Sequence, residues 1–292
     1  MSVSDGGARG EVRQAVAAAL GRLPGAERRV AEVVLRDPEA VAFGTVAAVA
    51  KRAGTSGPSV VRLADRLGYA GFIGLQQAVQ RDLRRRLRPA VERIRSAAGE
   101  RGDLLDRALS VEVSNVRLSL EPLDRSAFER AVERLADPEH RVTVLPSDQA
   151  RGIGETFAGE LGLVRDGVRV AGGSEFRVVT QLARLGRRDT VVILDLQRHE
   201  RWVVEASERI AAAGAARIVI VDSELSPLAE GALAVLPVAA AGVGPFDSQI
   251  GVLAVANALL AGVALRLRRN VTRRLDALEA AWTGSGALVE RN

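Results

Sequence analysis

The stretch Lys51–Phe72, KRAGTSGPSVVRLADRLGYAGF, decides the fold of the N-terminal third of this sequence. Gly54 and the small polar residues after it separate two short segments with helical periodicity. In the second segment Ser56 can cap a helix, Pro58 suits its first turn, and Gly68 ends it. The stretch therefore predicts two short helices joined by a tight turn.

The second of these helices is amphipathic. Its apolar residues recur at the spacing of one helical face: Val60, Leu63, Ala64 and Leu67. We expect Ser59, Arg62 and Arg66 to face outward. This arrangement is typical of a helix-turn-helix, whose second helix enters the major groove of DNA. It also suits an αα-hairpin in a helical bundle, and the pattern alone leaves both interpretations open.

Double-stranded DNA is the predicted partner of this stretch because the first third of the chain is basic. Residues 1–90 contain 15 Lys and Arg against 8 Asp and Glu, whereas the remainder contains 26 against 28. Helix first-turn N–H groups and hydroxyls favour phosphate oxygens, and Arg62 can reach a guanine edge or a phosphate. The predicted DNA-binding residues are Lys51, Thr55, Ser56, Pro58, Ser59, Arg62 and Arg66.

A longer stretch around these helices resembles the N-terminal domain of the RpiR-type transcriptional regulators of bacteria. The shared features are a helix ending in Asp-Pro, a Thr-led helix, a Ser-capped helix with a central Arg, and a Leu-Gly-aromatic-x-Gly-Phe motif. Here they are Asp37, Pro38, Thr45, Ser56, Arg62, Leu67, Gly68, Tyr69, Gly71 and Phe72. The resemblance implies a C-terminal sugar isomerase (SIS) domain that senses a phosphosugar, and SPLAEGALAVLPV, residues 226–238, is similar to a late SIS segment.

The second half of the chain alternates strand and helix patterns. Its strands are continuous Val, Ile and Leu runs, as at 141–147, 189–196 and 217–222, which is typical of a parallel sheet covered by helices on both faces. We therefore predict an all-α helix-turn-helix domain at residues 1–88, a linker at 89–102, and an α/β doubly wound, flavodoxin-like SIS domain at 103–292. The apolar segment from Ile250 onward is expected to be a buried core helix and not a membrane span.

A ligand of such a sheet is expected beyond the carboxyl ends of its strands. The SIS resemblance implies a Gly-rich turn with a Ser after the first strand and a Ser-x-Ser-Gly-x-Thr loop after the third. The sequence departs from both, with LPSDQARG in the first turn and DLQRHERW in the second. The predicted effector-binding residues are Ser147, Asp148, Arg151, Asp195, Gln197 and Arg198.

Three interpretations of this departure remain open at the level of sequence. The site binds a different, less anionic effector; or the pocket is degenerate and the domain serves only dimerisation; or a phosphate site has been rearranged around Arg151 and Arg198. Carboxylates in place of neutral donors beside a phosphate are unfavourable unless cations compensate, which is why the usual phosphosugar site is in doubt.

Catalytic and metal chemistry receive little support from the residues available. The chain has no Cys and only two His, His140 and His199. A catalytic arrangement of His199, Asp195 and Ser147 can be drawn, but chance proximity is the simpler account. No metal-ligand spacing accompanies His199. We predict no catalytic residues, no metal and no cofactor.

The sequence thus predicts a cytoplasmic, DNA-binding transcriptional regulator that forms a homodimer or a higher homo-oligomer, does not contact membranes, and responds to a small-molecule effector such as a sugar or sugar phosphate. One alternative is an SIS-type sugar-phosphate isomerase or lyase with an accessory helical domain. Another is a helical module that binds protein instead of DNA.

Overall fold

The computed structural model describes residues 12–86, 90–97, 103–224 and 226–287. The described chain divides into two compact units. One contains residues up to Pro122 together with Ala239–Gly251 and a short piece after Asp222. The other contains Leu123–Asp222, Ser226–Val238 and the chain from Val252 onward.

The first unit is helical. Its helices are α1 Val12–Ala19, α2 Gly25–Arg36, α3 Pro38–Phe43, α4 Val46–Arg52, α5 Gly57–Arg66, α6 Gly71–Arg86, α7 Ala90–Ala97 and α8 Leu104–Leu120. A 3₁₀ turn, Leu20–Arg22, follows α1. The core is built from small and medium side chains, with Val30, Val49, Val60, Leu63 and Leu75 fully enclosed. The sequence contains few aromatic residues, so this core depends on close packing of Val, Ala and Leu.

Helix α8 has no counterpart in the expectations above, and it holds a distant segment of the first unit. Asn115, fully buried in α8, donates from Nδ2 to the Ala241 carbonyl at 2.8 Å and accepts the Ala241 N–H at 3.1 Å. One turn later, Ser119 Oγ accepts the Ala239 N–H at 2.9 Å. These bonds satisfy buried backbone groups that lie outside helices and strands, and so attach residues 239–241 to the helical unit.

The second unit contains a five-stranded parallel sheet. The strands are β1 Arg141–Pro146, β2 Val168–Val170, β3 Asp189–Leu194, β4 Ala216–Val221 and β5 Ala234–Pro237, in the order β2-β1-β3-β4-β5. Its helices are α9 Arg125–Ala136, α10 Arg151–Val164, α11 Glu175–Leu182, α12 Arg201–Ala212, α13 Ile250–Arg266 and α14 Arg268–Ser285. This is the predicted doubly wound, flavodoxin-like order, and the fold class is confirmed.

The central strands show why the apolar runs predicted a covered sheet. Every residue of β3 is buried, and its register pairs Val191 with Thr143 of β1 and with Arg217 of β4. Helix α13 buries Val252, Val255, Leu259 and Val263. Within the described residues no single helix is long and apolar enough to span a membrane, although α13 and α14, bent by 102°, pass that test as a pair.

The domain boundaries predicted at residues 88 and 102 stay a prediction. Residues 87–89 and 98–102 lie outside the described residues, and so does part of the predicted linker at 89–102. The described part of that linker is helix α7.

Candidate functional site

The two helices predicted from residues 51–72 are α4 and α5. Thr45 caps α4, since its hydroxyl accepts the Ala48 N–H at 3.2 Å. Gly54 has φ +57°, a left-handed conformation that costs glycine little, and its N–H donates to the Lys51 carbonyl at 3.2 Å. The Thr55 N–H donates to Ala50 at 2.9 Å. The turn at Gly54 is therefore the one that the sequence predicted.

Helix α5 turns its apolar face into the core of the helical unit. Val60, Leu63 and Ala64 are fully buried, and Leu67 is half-buried against them. Pro58 lies in the first turn of the helix. The opposite side is exposed to solvent, including Arg62 and Arg66 with side chains 57% and 50% exposed. The predicted amphipathic character of α5 is therefore confirmed.

Ser59 does not have the orientation that the sequence predicted. It was expected to face outward, but it is 2% exposed, and its hydroxyl lies 3.2 Å from the Ser56 hydroxyl and accepts a hydrogen bond from Arg62 Nη2 at 2.9 Å. Ser56 occupies the N-cap position, yet its side chain makes no capping hydrogen bond. Ser59 lies at the boundary between the buried and exposed faces of α5, where a shift of one residue along the helix separates a buried side chain from an exposed one. Its hydroxyl holds Arg62, and its predicted contact with DNA stays a prediction.

A buried carboxylate that the sequence did not reveal organises the same two arginines. Glu27, in the first turn of α2, has a side chain only 5% exposed. Its Oε2 accepts from Arg66 Nε at 2.6 Å, and its Oε1 lies 3.7 Å from Arg62 Nε. Nothing in the local pattern predicts this contact, because Glu27 and Arg66 are 39 residues apart.

A third arginine ties α2 to the turn. Arg29 donates from Nε to the Ala53 carbonyl at 3.2 Å and from Nη2 to the Gly54 carbonyl at 3.3 Å. Carbonyls at the end of a helix lack partners within the helix, so a guanidinium there stabilises the turn. Six of the seven predicted DNA-binding residues thus remain at least partly accessible in or beside a fixed turn: Lys51, Thr55, Ser56, Pro58, Arg62 and Arg66.

The predicted effector residues lie at the carboxyl edge of the sheet. Ser147 directly follows β1 and donates its N–H to the Leu194 carbonyl, while Asp195 directly follows β3 and donates its N–H to the Ile220 carbonyl. Both side chains are enclosed, with Ser147 0% and Asp195 4% exposed. Among the described residues the Ser147 hydroxyl has no hydrogen-bond partner, which is unfavourable for a buried polar group.

Asp195 belongs to a hydrogen-bonded chain of three side chains. Its Oδ2 lies 2.9 Å from His199 Nδ1, and His199 Nε2 lies 3.0 Å from the Ser226 hydroxyl. The hydrogen bond from Asp195 raises the pKa of His199, against the opposing effect of burial, and the charges of Asp195 and Asp222 add to the rise. A contact between His199 and Asp195 was expected only by chance, and Ser226 lies where the sequence suggested Ser147.

Ser226 has a local structural function in this chain. It is 6% exposed, and its hydroxyl also accepts the Leu228 N–H at 3.3 Å, which supports the turn before β5. A hydrogen-bonded order of Asp, His and Ser is also that of hydrolytic triads, but a nucleophile must be reachable by a substrate. Because Ser226 is enclosed, its hydrogen bonds with His199 and Leu228 are better explained by a structural role than by catalysis.

A second network begins at Asp148, in the loop after β1. The Asp148 N–H donates to Glu200 Oε1 at 3.0 Å, and the Asp148 carboxylate pairs with Arg151, the first residue of α10. The other oxygen of Glu200, Oε2, accepts from the indole Nε1 of Trp202. Glu200 was not among the predicted effector-binding residues. Its contact with Asp148 could not be predicted from a local pattern, because the two residues are 52 positions apart in sequence.

The remaining predicted effector residues lie in the loop between β3 and α12. Gln197 is half-buried and Arg198 is exposed. Arg198 has φ +66° and is the one non-glycine residue with a positive φ in the described part of the chain. This conformation is uncommon for arginine and is found where surrounding structure fixes a loop, often near a functional site.

Two family descriptions match separate parts of the chain. A helix-turn-helix domain of the rpiR family matches residues 11–86, and a SIS domain matches residues 153–262. The first match contains α4 and α5, and the second contains β3, β4 and their connecting loops. No curated protein matches the sequence.

Solved structures agree with this division. The sugar isomerase domain of an RpiR transcription factor from Sphaerobacter thermophilus is 27% identical, with a TM-score of 0.55, over 61% of this chain and 99% of that one. The NanR protein of Vibrio vulnificus, complexed with ManNAc-6P, is 19% identical, with a TM-score of 0.54, over 91% of this chain and 98% of that one. At that identity the second likeness shows the fold alone.

Proposed function

This chain is of the RpiR type, joining an rpiR-family helix-turn-helix domain to a SIS domain, and we propose that it is a DNA-binding transcriptional regulator that responds to a sugar-like metabolite. The observation that supports this most directly is the exposed side of α5. It presents Arg62 and Arg66 beside a turn held by Gly54 and Arg29. A rigid turn that projects arginines is what insertion into a major groove requires.

The contacts around α5 suggest how it reads DNA. Ser59 and Glu27 both hold Arg62, and Glu27 also holds Arg66. Each guanidinium has further N–H donors beyond these bonds. Arg62 can therefore contact a base edge or phosphate while its Nε stays near Glu27. Lys51, Thr55 and Ser56 would donate to phosphates around it, as would the N–H groups of the first turn of α5, and Pro58, which has no N–H, would lie beside them.

DNA binding is tested by salt dependence. We expect retention on genomic DNA to fall steeply between 50 and 200 mM salt, because neutralising each phosphate releases about one counterion. Genome-wide capture of the bound DNA then gives the operator. A salt-independent association, or none, would favour the helical module that binds protein.

We further propose that the chain acts as a homodimer in the cytoplasm. Paired helix-turn-helix units read two half-sites about one helical turn apart, so a symmetric dimer doubles the contacted surface. The test is light scattering of the free protein together with the symmetry of the captured sites. A monomer on asymmetric sites contradicts this proposal.

The C-terminal domain, on this proposal, binds its ligand without transforming it. The candidate residues are Ser147, Asp148, Arg151, Asp195, Gln197 and Arg198, at the carboxyl edge of the sheet. Support comes from the rpiR-family match of the N-terminal domain and from the enclosed position of Ser226, which a substrate could not reach as a nucleophile. An assay across common sugar phosphates that detects isomerisation would favour the SIS-type isomerase instead.

A further inference from the structure

The loop between β1 and α10 is where an anion would be expected to bind. Helix α10 is 14 residues long and begins at Arg151, four residues after Ser147. Free N–H groups and the positive end of the helix dipole favour a negative charge at such a position. The Asp148 N–H lies in the loop that leads into this helix, three residues before Arg151.

The chain itself already supplies an anion there. Glu200 Oε1 accepts the Asp148 N–H at 3.0 Å, and Oε2 accepts from Trp202 Nε1. Both oxygens of this carboxylate are therefore engaged, one by backbone of the first loop and one by a half-buried indole. A phosphate oxygen directed at the Asp148 N–H would have to displace the Glu200 carboxylate.

Two of the cations of the region are matched in the same way. Arg151 pairs with Asp148, and His199 pairs with Asp195. A phosphate would thus approach three carboxylates, Asp148, Asp195 and Glu200. To bind the cations or N–H groups that these carboxylates now engage, it would have to displace the carboxylates. Like charges in a partly enclosed site repel strongly, because little water is present to screen them.

One enclosed polar group at this edge is unmatched. The Ser147 hydroxyl is fully buried and bonds to none of the residues that the structure describes. A hydroxyl can donate to or accept from a neutral ligand, and a carboxylate accepts readily from sugar hydroxyls. The Ser147 hydroxyl is thus a neutral unmatched group, whereas Asp148, Arg151, Asp195, His199 and Glu200 are already paired.

We infer that Glu200 is a built-in carboxylate that occupies the anion position before α10 and excludes phosphorylated ligands, so that the site takes an unphosphorylated, hydroxyl-rich metabolite. This inference rests on the proposed function of the C-terminal domain as a ligand sensor. It makes Glu200 a specificity-determining residue.

The experiment compares the full-length wild-type protein with Glu200→Gln, which keeps the size and an acceptor oxygen but removes the charge. Inorganic phosphate and glucose 6-phosphate are titrated into each by calorimetry, with glucose as the unphosphorylated probe. We expect the wild type to bind neither phosphate compound at millimolar concentration. Glu200→Gln should bind inorganic phosphate at least ten-fold more tightly. Wild-type binding as tight as that of Glu200→Gln would overturn the inference.

Two further variants keep the result interpretable. Glu205→Gln removes a carboxylate from an exposed position of α12 and should leave phosphate binding unchanged. Glu200→Ser provides a second neutral replacement if Glu200→Gln unfolds, and its thermal unfolding is measured alongside. If neither neutral variant gains phosphate affinity, Glu200 is not what excludes phosphate.

DNA release separates this inference from the proposed function. Sugars presented with and without a phosphate group are added to the wild-type protein bound to its captured DNA. Release by an unphosphorylated sugar supports the inference, and release by phosphorylated sugars alone contradicts it. Failure of the protein to bind DNA would overturn the regulator proposal while leaving the phosphate titrations valid.

Discussion

Arg66 Nε lies 2.6 Å from Oε2 of Glu27, a carboxylate that is buried in the helical unit although the arginine is half exposed. The same carboxylate lies 3.7 Å from Arg62 Nε. One buried anion thus holds two solvent-facing cations of α5. Because arginine side chains lose much rotamer freedom when ordered, fixing them before DNA binds lowers the entropic cost of that binding.

Glu27→Gln tests this anchoring. We expect the helical unit to lose about 1–2 kcal/mol of stability, since a charge-assisted bond at a buried oxygen is lost while solvent screens the half-exposed arginines. Hydrogen exchange of peptides covering α2 and α5 measures the change. Glu32→Gln, on the same helix, is the matched control. Equal protection in the two variants would show that the ion pair contributes nothing.

Arg62→Ala tests whether Arg62 contacts a base of the bound DNA. If Arg62 contacts a base edge, the affinity for captured DNA should fall by about 1–3 kcal/mol and specificity at one base pair should relax. Fluorescence anisotropy against the captured site and single-base variants measures both effects. Arg28→Ala removes an exposed charge from α2 and is expected to matter much less. Unchanged binding would remove Arg62 from the interface.

Gly54→Ala tests the turn. A Cβ at Gly54 meets nothing within 4 Å, so the expected loss of about 1 kcal/mol comes from the backbone at φ +57° alone. Gly25, the first residue of α2, is equally open but lacks a positive φ. Gly25→Ala should be neutral or stabilising by up to about 1 kcal/mol. Urea unfolding followed by circular dichroism distinguishes the two, and equal effects would contradict the conformational explanation.

His199→Asn tests the chain from Asp195 to Ser226. Because the folded protein raises the pKa of His199 above 6.5, folding favours the protonated ring. The stabilisation is complete below the unfolded pKa and is lost as the pH rises through the folded pKa. Denaturation at pH 6 to 9, followed by tryptophan fluorescence, should show this decline in the wild type and in His140→Asn. His199→Asn should lack it, and an identical decline in all three proteins would contradict the assignment.

The features that depend on neighbours along the chain could be predicted from the amino-acid sequence. Gly54, Thr45 and the spacing from Val60 to Leu67 specified the turn, the cap and the buried face of α5, because each acts within one or two helical turns. The Val and Ile runs of β1, β3 and β4 likewise specified a covered parallel sheet. Since parallel strands end at one edge, Ser147 and Asp195 could be placed together.

Which polar side chains meet could not be predicted from the sequence and is seen only in the folded chain. Glu27 with Arg66, Asp148 with Glu200, and His199 with Ser226 are 39, 52 and 27 residues apart, and no periodicity records such separations. Ser59 was misplaced because helical spacing alone does not fix a position between two faces. These polar contacts are strengthened because burial removes water from them. Burial depends on how the whole chain packs, so it cannot be predicted from a local pattern.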